Sequence, residues 1–152
     1  MQKLNLPTYN FNIKESENNK DQIFDEVRRK FVALTPEEWV RQNFVKYLIE
    51  EKHYPKGLIA IEMTLNISNN KQRCDVVCFD KKAQPLIIIE CKAPKVKITQ
   101  EVFEQAARYN MNLHTSFLIM TNGMNHYCCK IDYTNKKVMY LKDIPNYDAI
   151  MN

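Results

Sequence analysis

Apolar residues recur along the chain with two alternating periods. From Thr35 the period is helical: Thr35-Pro36-Glu37-Glu38 supplies an N-cap, a proline at the first helical position and a T-x-x-E capping box, and Val40, Phe44, Tyr47 and Leu48 form the apolar stripe. The helix stops around His53 to Gly57. Ile59, Ile61, Met63, Leu65 and Ile67 then alternate with Ala60, Glu62, Thr64 and Asn66, which predicts a long half-buried strand. Gln72 to Phe79 and Leu86 to Cys91 read as two further strands, joined into a hairpin by the polar turn Asp80 to Pro85. The helical period returns after Thr99, a second N-cap, with Val102, Ala106, Tyr109 and Leu113 as the expected stripe. Ser116 to Thr121 reads as a buried strand, Asn122 to Asn125 as a turn, and His126 to Tyr133 with Lys137 to Leu141 as a last hairpin.

Residues 10–21 form a polar loop after a short strand at Leu4 or Leu6, and a tail with little pattern starts at Pro145. The order β, α, βββ, α, ββ predicts an α/β (α+β) fold, a mixed sheet flanked by helices. At 152 residues and 45% hydrophobic, one domain spanning 1–152 is expected.

Composition narrows the chemistry. With only two glycines, Gly57 and Gly123, the chain lacks the glycine-rich turns that cradle nucleotide phosphates, so no ATP site is expected. The apolar runs Leu86 to Ile89 and Phe117 to Met120 are far short of a bilayer span, and the first five residues have no signal-like apolar region. A soluble, intracellular protein without a membrane partner is the expectation. The net charge of +4 permits a polyanion partner without demanding one. Cys74, Cys78, Cys91, Cys128 and Cys129 lie in apolar stretches and read as reduced, buried thiols; with His53, His114 and His126 scattered, their spacing does not supply zinc geometry.

One pair of strands stands out chemically. On Leu86 to Lys92, Glu90 and Lys92 share a face with Leu86 and Ile88. A hairpin symmetric about the 80–85 turn sets Phe79 opposite Leu86 and, in the same register, Asp75 opposite Glu90. Two carboxylates directly opposed repel, and a divalent cation with Lys92 alongside would compensate. Asp75, Glu90 and the backbone carbonyl of Cys91 offer hard oxygen ligands suited to Mg2+ or Mn2+. A metal-held water would then be the nucleophile, Lys92 would orient or help deprotonate it, and the outline is that of phosphodiester hydrolysis. The plainer alternative makes Asp75 and Lys92 an exposed ion pair and pairs Glu90 with an arginine.

Arg73-x-Asp75 followed by Pro85-Leu86-Ile87-Ile88-Ile89-Glu90-Cys91-Lys92-Ala93-Pro94 resembles the D…ExK core of the restriction-endonuclease-like PD-(D/E)XK superfamily. With Leu34 to Gln42, Gln105 to Asn110 and Thr121-Asn122-Gly123, the pattern from about Ile23 to about Pro145 resembles the N-terminal nuclease domain of type I restriction enzyme R (HsdR) subunits. The resemblance implies a prokaryotic, cytoplasmic, Mg2+- or Mn2+-dependent DNA endonuclease module in which Asp75 and Glu90 hold the metal and Lys92 is catalytic. It also implies an acidic residue on the first helix. Glu37, four before Arg41, matches that element better than Glu38, and helix geometry sets Glu37 toward the core while Glu38 serves the capping box. Gln105 and Tyr109 match the family's Q-x-x-x-Y element, associated with DNA contact; Tyr109 as a core aromatic is the alternative. Arg41, Arg73, Lys95, Lys97 and Arg108 are candidate phosphate contacts. DNA is the implied partner, with separate motor, methylase or specificity subunits as further ones, because the chain lacks the glycines of a motor. A non-catalytic DNA-binding or assembly module and an exonuclease are the competing functions.

Overall fold

The computed structural model describes residues 1–67 and 69–151. Its centre is a six-stranded sheet of β4 (Ile59–Ile67), β5 (Asn70–Phe79), β6 (Pro85–Cys91), β7 (Phe117–Thr121), β8 (His126–Asp132) and β9 (Lys137–Leu141), hydrogen-bonded in chain order. All neighbours are antiparallel except β6 and β7. That parallel pair needs a crossover, which α2 (Gln100–Asn110) supplies. A separate three-stranded antiparallel sheet of β1 (Ile13–Lys14), β2 (Gln22–Asp25) and β3 (Lys30–Ala33) precedes α1 (Pro36–Glu50). The fold is the expected mixed sheet flanked by helices.

The large sheet is covered on both faces. Ile87, Ile89 and Cys91 pack with Val40, Phe44 and Leu48 of α1, whereas Ile88 packs with Phe103 and Ala107 of α2. The buried run Leu86 to Cys91 thus belongs to a strand sandwiched between helices, where near-continuous apolarity is normal. Thr35 Oγ1 accepts the Glu38 N–H at 3.0 Å, so α1 is capped as expected. Its far end closes through His53 in the left-handed region (φ 61°) and a Tyr54 N–H bond to the Leu48 carbonyl at 3.0 Å.

Several expectations are corrected. The small sheet was not foreseen, because β1 to β3 span only two to four residues each and β1 and β3 are largely exposed, and no strand forms at Leu4 or Leu6. Leu4 instead packs against the main core. The stripe of α2 is Phe103, Ala107 and Asn110; Val102 is 43% and Tyr109 59% exposed. The tail docks through α3 (Tyr147–Ile150): Tyr147 stacks on Tyr54 at 5.3 Å and its hydroxyl donates to the Phe79 carbonyl at 2.8 Å.

Candidate functional site

The β5–β6 ladder runs Val76↔Ile89, Val77↔Ile88 and Cys78↔Ile87. This is the expected register, and it makes Asp75 and Glu90 the next opposed positions. At the turn the expectation fails: a register shift between Cys78 and Phe79 sets Phe79 opposite Pro85 rather than Leu86. Beyond Val76 the two strands part. Asp75 also lacks a partner on its other side, where the β4–β5 ladder passes from Ile61↔Val76 to Met63↔Cys74 and omits Glu62 and Asp75. Asp75 therefore occupies a gap in both ladders.

Freed from pairing, Asp75 Oδ2 accepts the Cys91 N–H at 2.7 Å, and Oδ1 lies 3.7 Å from the Arg41 guanidinium. An extended residue turns its N–H and C=O toward the same neighbouring strand, so the Cys91 carbonyl also faces the β5 side. Glu90 follows the parity of Ile88 and faces α2, where Asn110 lies beside it. Its carboxyl is held above the ordinary value, first by burial and also by the charge of Asp75, against the opposing influence of Lys92 and Asn110. The two carboxylates thus turn to different sides at the parted end of the strands, Asp75 toward Arg41 of α1 and Glu90 toward α2, a correction to the simple picture of two side chains on one face. Lys92 continues beside β7, its N–H bonded to the Thr121 carbonyl at 2.8 Å, with its half-buried side chain near Glu90. The alternative pairings are not those observed: it is Asp75 that meets an arginine, and Glu90 that neighbours Lys92.

The first-helix acids are arranged differently from expectation. Glu38 is the buried one, 4% exposed, and Glu37 is exposed. The Glu38 backbone takes the cap bond, but its carboxylate does not complete the capping box; it accepts from Arg41, from Arg28 at 2.8 Å and from Gln42 at 3.0 Å. Burial alone would raise this carboxyl, and the two guanidiniums and the amide bring it below its ordinary value. Glu37 and Glu38 both line a cavity of about 700 Å³ with Asp75, Glu62, Arg28, Arg41 and the β3 edge. Among the described residues, no group of three or more His, Cys, Asp or Glu side chains is gathered for a metal ion.

The candidate DNA contacts divide. Gln105, Tyr109, Arg108, Lys95, Lys97 and Arg73 are exposed, so Tyr109 is not a core aromatic. Arg41 is 6% exposed and committed to Glu38, which corrects its reading as a phosphate contact. Arg28, Asp25 and Glu62 were missed. The Arg28 guanidinium reaches Asp25, Glu38 and Glu62 at once, a convergence over distant elements that no local spacing signals.

Thr121-Asn122-Gly123 has a structural explanation. Asn122 Oδ1 accepts from the Met124 and Asn125 N–H groups while Nδ2 donates to the Val96 carbonyl at 2.8 Å, fastening the loop after Lys92 to the end of β7. Gly123 sits at φ +84°, and a Cβ there would meet Leu4 Cδ2 at 2.8 Å.

The mixed sheet carries Glu90-x-Lys92 at the end of its central parallel pair, beside an unladdered Asp75. Residues 36–145 match the family described as Type I restriction enzyme R protein N terminus (HSDR_N), and the chain belongs to that family. Among solved structures it is similar to a fragment described as an HsdR subunit of a type I restriction enzyme from Vibrio vulnificus YJ016, with a TM-score of 0.54 and 20% identity. The match covers 77% of this chain and 24% of that one, so the chain spans about a quarter of that neighbour's length. No curated protein matches. Among the described residues no helix is long and apolar enough to cross a membrane.

Proposed function

We propose that this chain is a Mg2+- or Mn2+-dependent DNA endonuclease module. The observation that carries the reading is the juxtaposition of Asp75, at a gap in both of its ladders, with Glu90, Lys92 and the β5-facing edge of Cys91. The donor set suits a hard cation: two carboxylates, one half-buried and raised first by burial and then by the other's charge, and a strand-end carbonyl. Asp75, Glu90 and the Cys91 carbonyl would hold the ion. Such a cation, when bound, lowers the pKa of a water and offsets charge growing on a phosphate. Lys92, with three N–H donors, orients the attacking water beside Glu90. Arg41 steadies Asp75 from the α1 side. Glu37, exposed on the cavity wall, faces the approaching strand more openly than Glu38, whose carboxylate is already engaged.

Gln105, Arg108 and Tyr109 on α2, with Lys95 and Lys97 on the preceding loop, provide an exposed polar and basic surface for the DNA backbone. Family membership supports work within a type I restriction system, with motor, methylase and specificity functions on other polypeptides or segments. Incubation with supercoiled plasmid and Mg2+ or Mn2+ tests the reading. Wild type is expected to nick or linearise the plasmid, and Asp75→Asn, Glu90→Gln and Lys92→Ala are each expected to lose about a hundredfold or more in rate. Equal cutting by wild type and Lys92→Ala would sink the site assignment. A wild type that shifts DNA in chelator but never cuts with any metal would favour the non-catalytic binding module.

A further inference from the structure

Glu62 stands in the middle of β4 with φ at +52°, in the left-handed region that residues with a Cβ rarely adopt, least of all within a strand. The ladder keeps one register on both sides of it, so no residue has been inserted; only the pair Glu62 with Asp75 is missing. A single left-handed residue turns the rest of the strand over. Ile59 and Ile61 join the core under α1, whereas Leu65 and Ile67, of the same parity, join the core under α2 with Leu113. Cys74 follows them to the α2 core while Val76 and Cys78 remain with α1. Asp75 lies at the pivot.

Glycine or asparagine would be the ordinary occupant of such a position. Here the glutamate is held by charge from three elements: Arg28 before β3 at 3.2 Å, Arg41 of α1 at 3.4 Å and Arg73 of β5 at 3.3 Å. We propose that Glu62 is a positioning residue of the site. Its left-handed backbone removes the ladder partner that Asp75 would otherwise have, and the three guanidiniums keep it left-handed. Asp75 is thereby free to turn its carboxylate onto the Cys91 N–H. The backbone role stands on the structure alone; its consequence for metal rests on the nuclease reading above.

Two readouts test it: exchange of the Cys91 amide proton by NMR in chelator, and Mn2+ affinity by calorimetry, on wild type, E62G, E62Q and E62V. E62G adopts the left-handed backbone without a clamp and is expected to keep slow Cys91 exchange and Mn2+ affinity within about threefold of wild type. E62Q keeps the backbone cost but loses the charge, and is expected to speed Cys91 exchange and weaken Mn2+ binding by about tenfold. E62V, β-branched and excluded from that region, is expected to show the largest loss in both. A side chain acting only as an ion-pair partner gives the opposite order, with E62G no better than E62Q, and that order would overturn the proposal. No Mn2+ binding by wild type, with the expected Cys91 order intact, would overturn the nuclease reading and leave the role of Glu62 standing. Mn2+ binding and Cys91 exchange unchanged across all variants would overturn the role and leave the nuclease reading.

Discussion

Glu38 illustrates how a single side chain can be read correctly for its neighbours and wrongly for itself. The T-x-x-E spacing identifies the helix start, yet the carboxylate is drawn away from the cap by Arg28 and Arg41, two full charges that outweigh one peptide N–H. Both Glu38 and Arg41 are buried, so removing either breaks a buried ion pair and leaves the other with fewer or more distant partners. Glu38→Ala is expected to cost about 3–5 kcal/mol, seen as a lower urea midpoint. Asp25 is also held below its ordinary value: burial raises it, and hydrogen bonds from the Arg28 backbone and side chain more than offset this. With both carboxyls depressed in the folded state, the unfolded chain takes up protons first as the medium is acidified. Stability present at neutral pH then starts to be lost as pH falls below the ordinary carboxylate range, about 4, and goes on being lost down through the lowered folded values. Denaturation followed from pH 7 to 3 checks this, and Glu38→Gln is expected to flatten the acid limb. The Arg28 convergence itself was illegible in the sequence, because its partners lie 3, 10 and 34 residues away.

Among elements, those with strong local signals were legible and those defined by their surroundings were not. α1, β4, the β5–β6 hairpin and β7 follow from caps, alternation and apolar runs. The stripe of α2 was misjudged because Val102 and Tyr109 are apolar by type but face outward, while the sheet covers Phe103 and Ala107. The turn over β4 at Glu62 was hidden because alternation continues unbroken through it; a periodic pattern records parity and is blind to a rotation of the strand. The turn after β7 belongs to the same class. Thr121 Oγ1 accepts from the Gly123 N–H at 3.0 Å and lies 2.7 Å from His126 Nδ1, whose other ring nitrogen is 2.9 Å from the Asn5 carbonyl. The carbonyl requires a proton on Nε2, which leaves Nδ1 to accept from Thr121. Burial lowers the His126 pKa, and the Asn5 bond only partly opposes it. The folded form therefore favours neutral imidazole, and stability is expected to begin falling as pH drops below about 6.5, where the unfolded histidine takes up its proton. Gly123→Ala, strained at positive φ and crowding Leu4, is expected to cost about 1–3 kcal/mol by the same denaturation measurement.

For the whole molecule, the architecture and the register that sets Asp75 opposite Glu90 could be approached from sequence because the hairpin that carries both is local. Parity alone, however, could not foresee that Asp75 opens toward α1 while Glu90 faces α2, since that depends on where the strands part. The same holds for the small sheet, whose β3 edge forms a wall of the cavity over Asp75. Its strands are too short to leave a periodic trace, and it is tied to α1 through the ion pairs of Arg28 with Glu38 and of Glu26 with Lys46, with Val27 packed against the main core.

All five cysteines are free and buried, and they are spread over β5, β6 and β8. Burial pushes the Cys78 and Cys128 thiols up to about 12 and the Cys74 and Cys129 thiols to about 11, so almost no thiolate is available to a reagent. The native protein is expected to resist an alkylating agent near neutral pH, and each modified position then reports an opening of the strand that bears it. Mass-resolved pulse labelling along a urea series would order those openings. Labelling of Cys91 and Cys74 ahead of Cys128 and Cys129 would mean that the strands flanking Asp75 yield first. The sheet thus carries its own set of chemical clocks, one of them within the strand end that bonds Asp75.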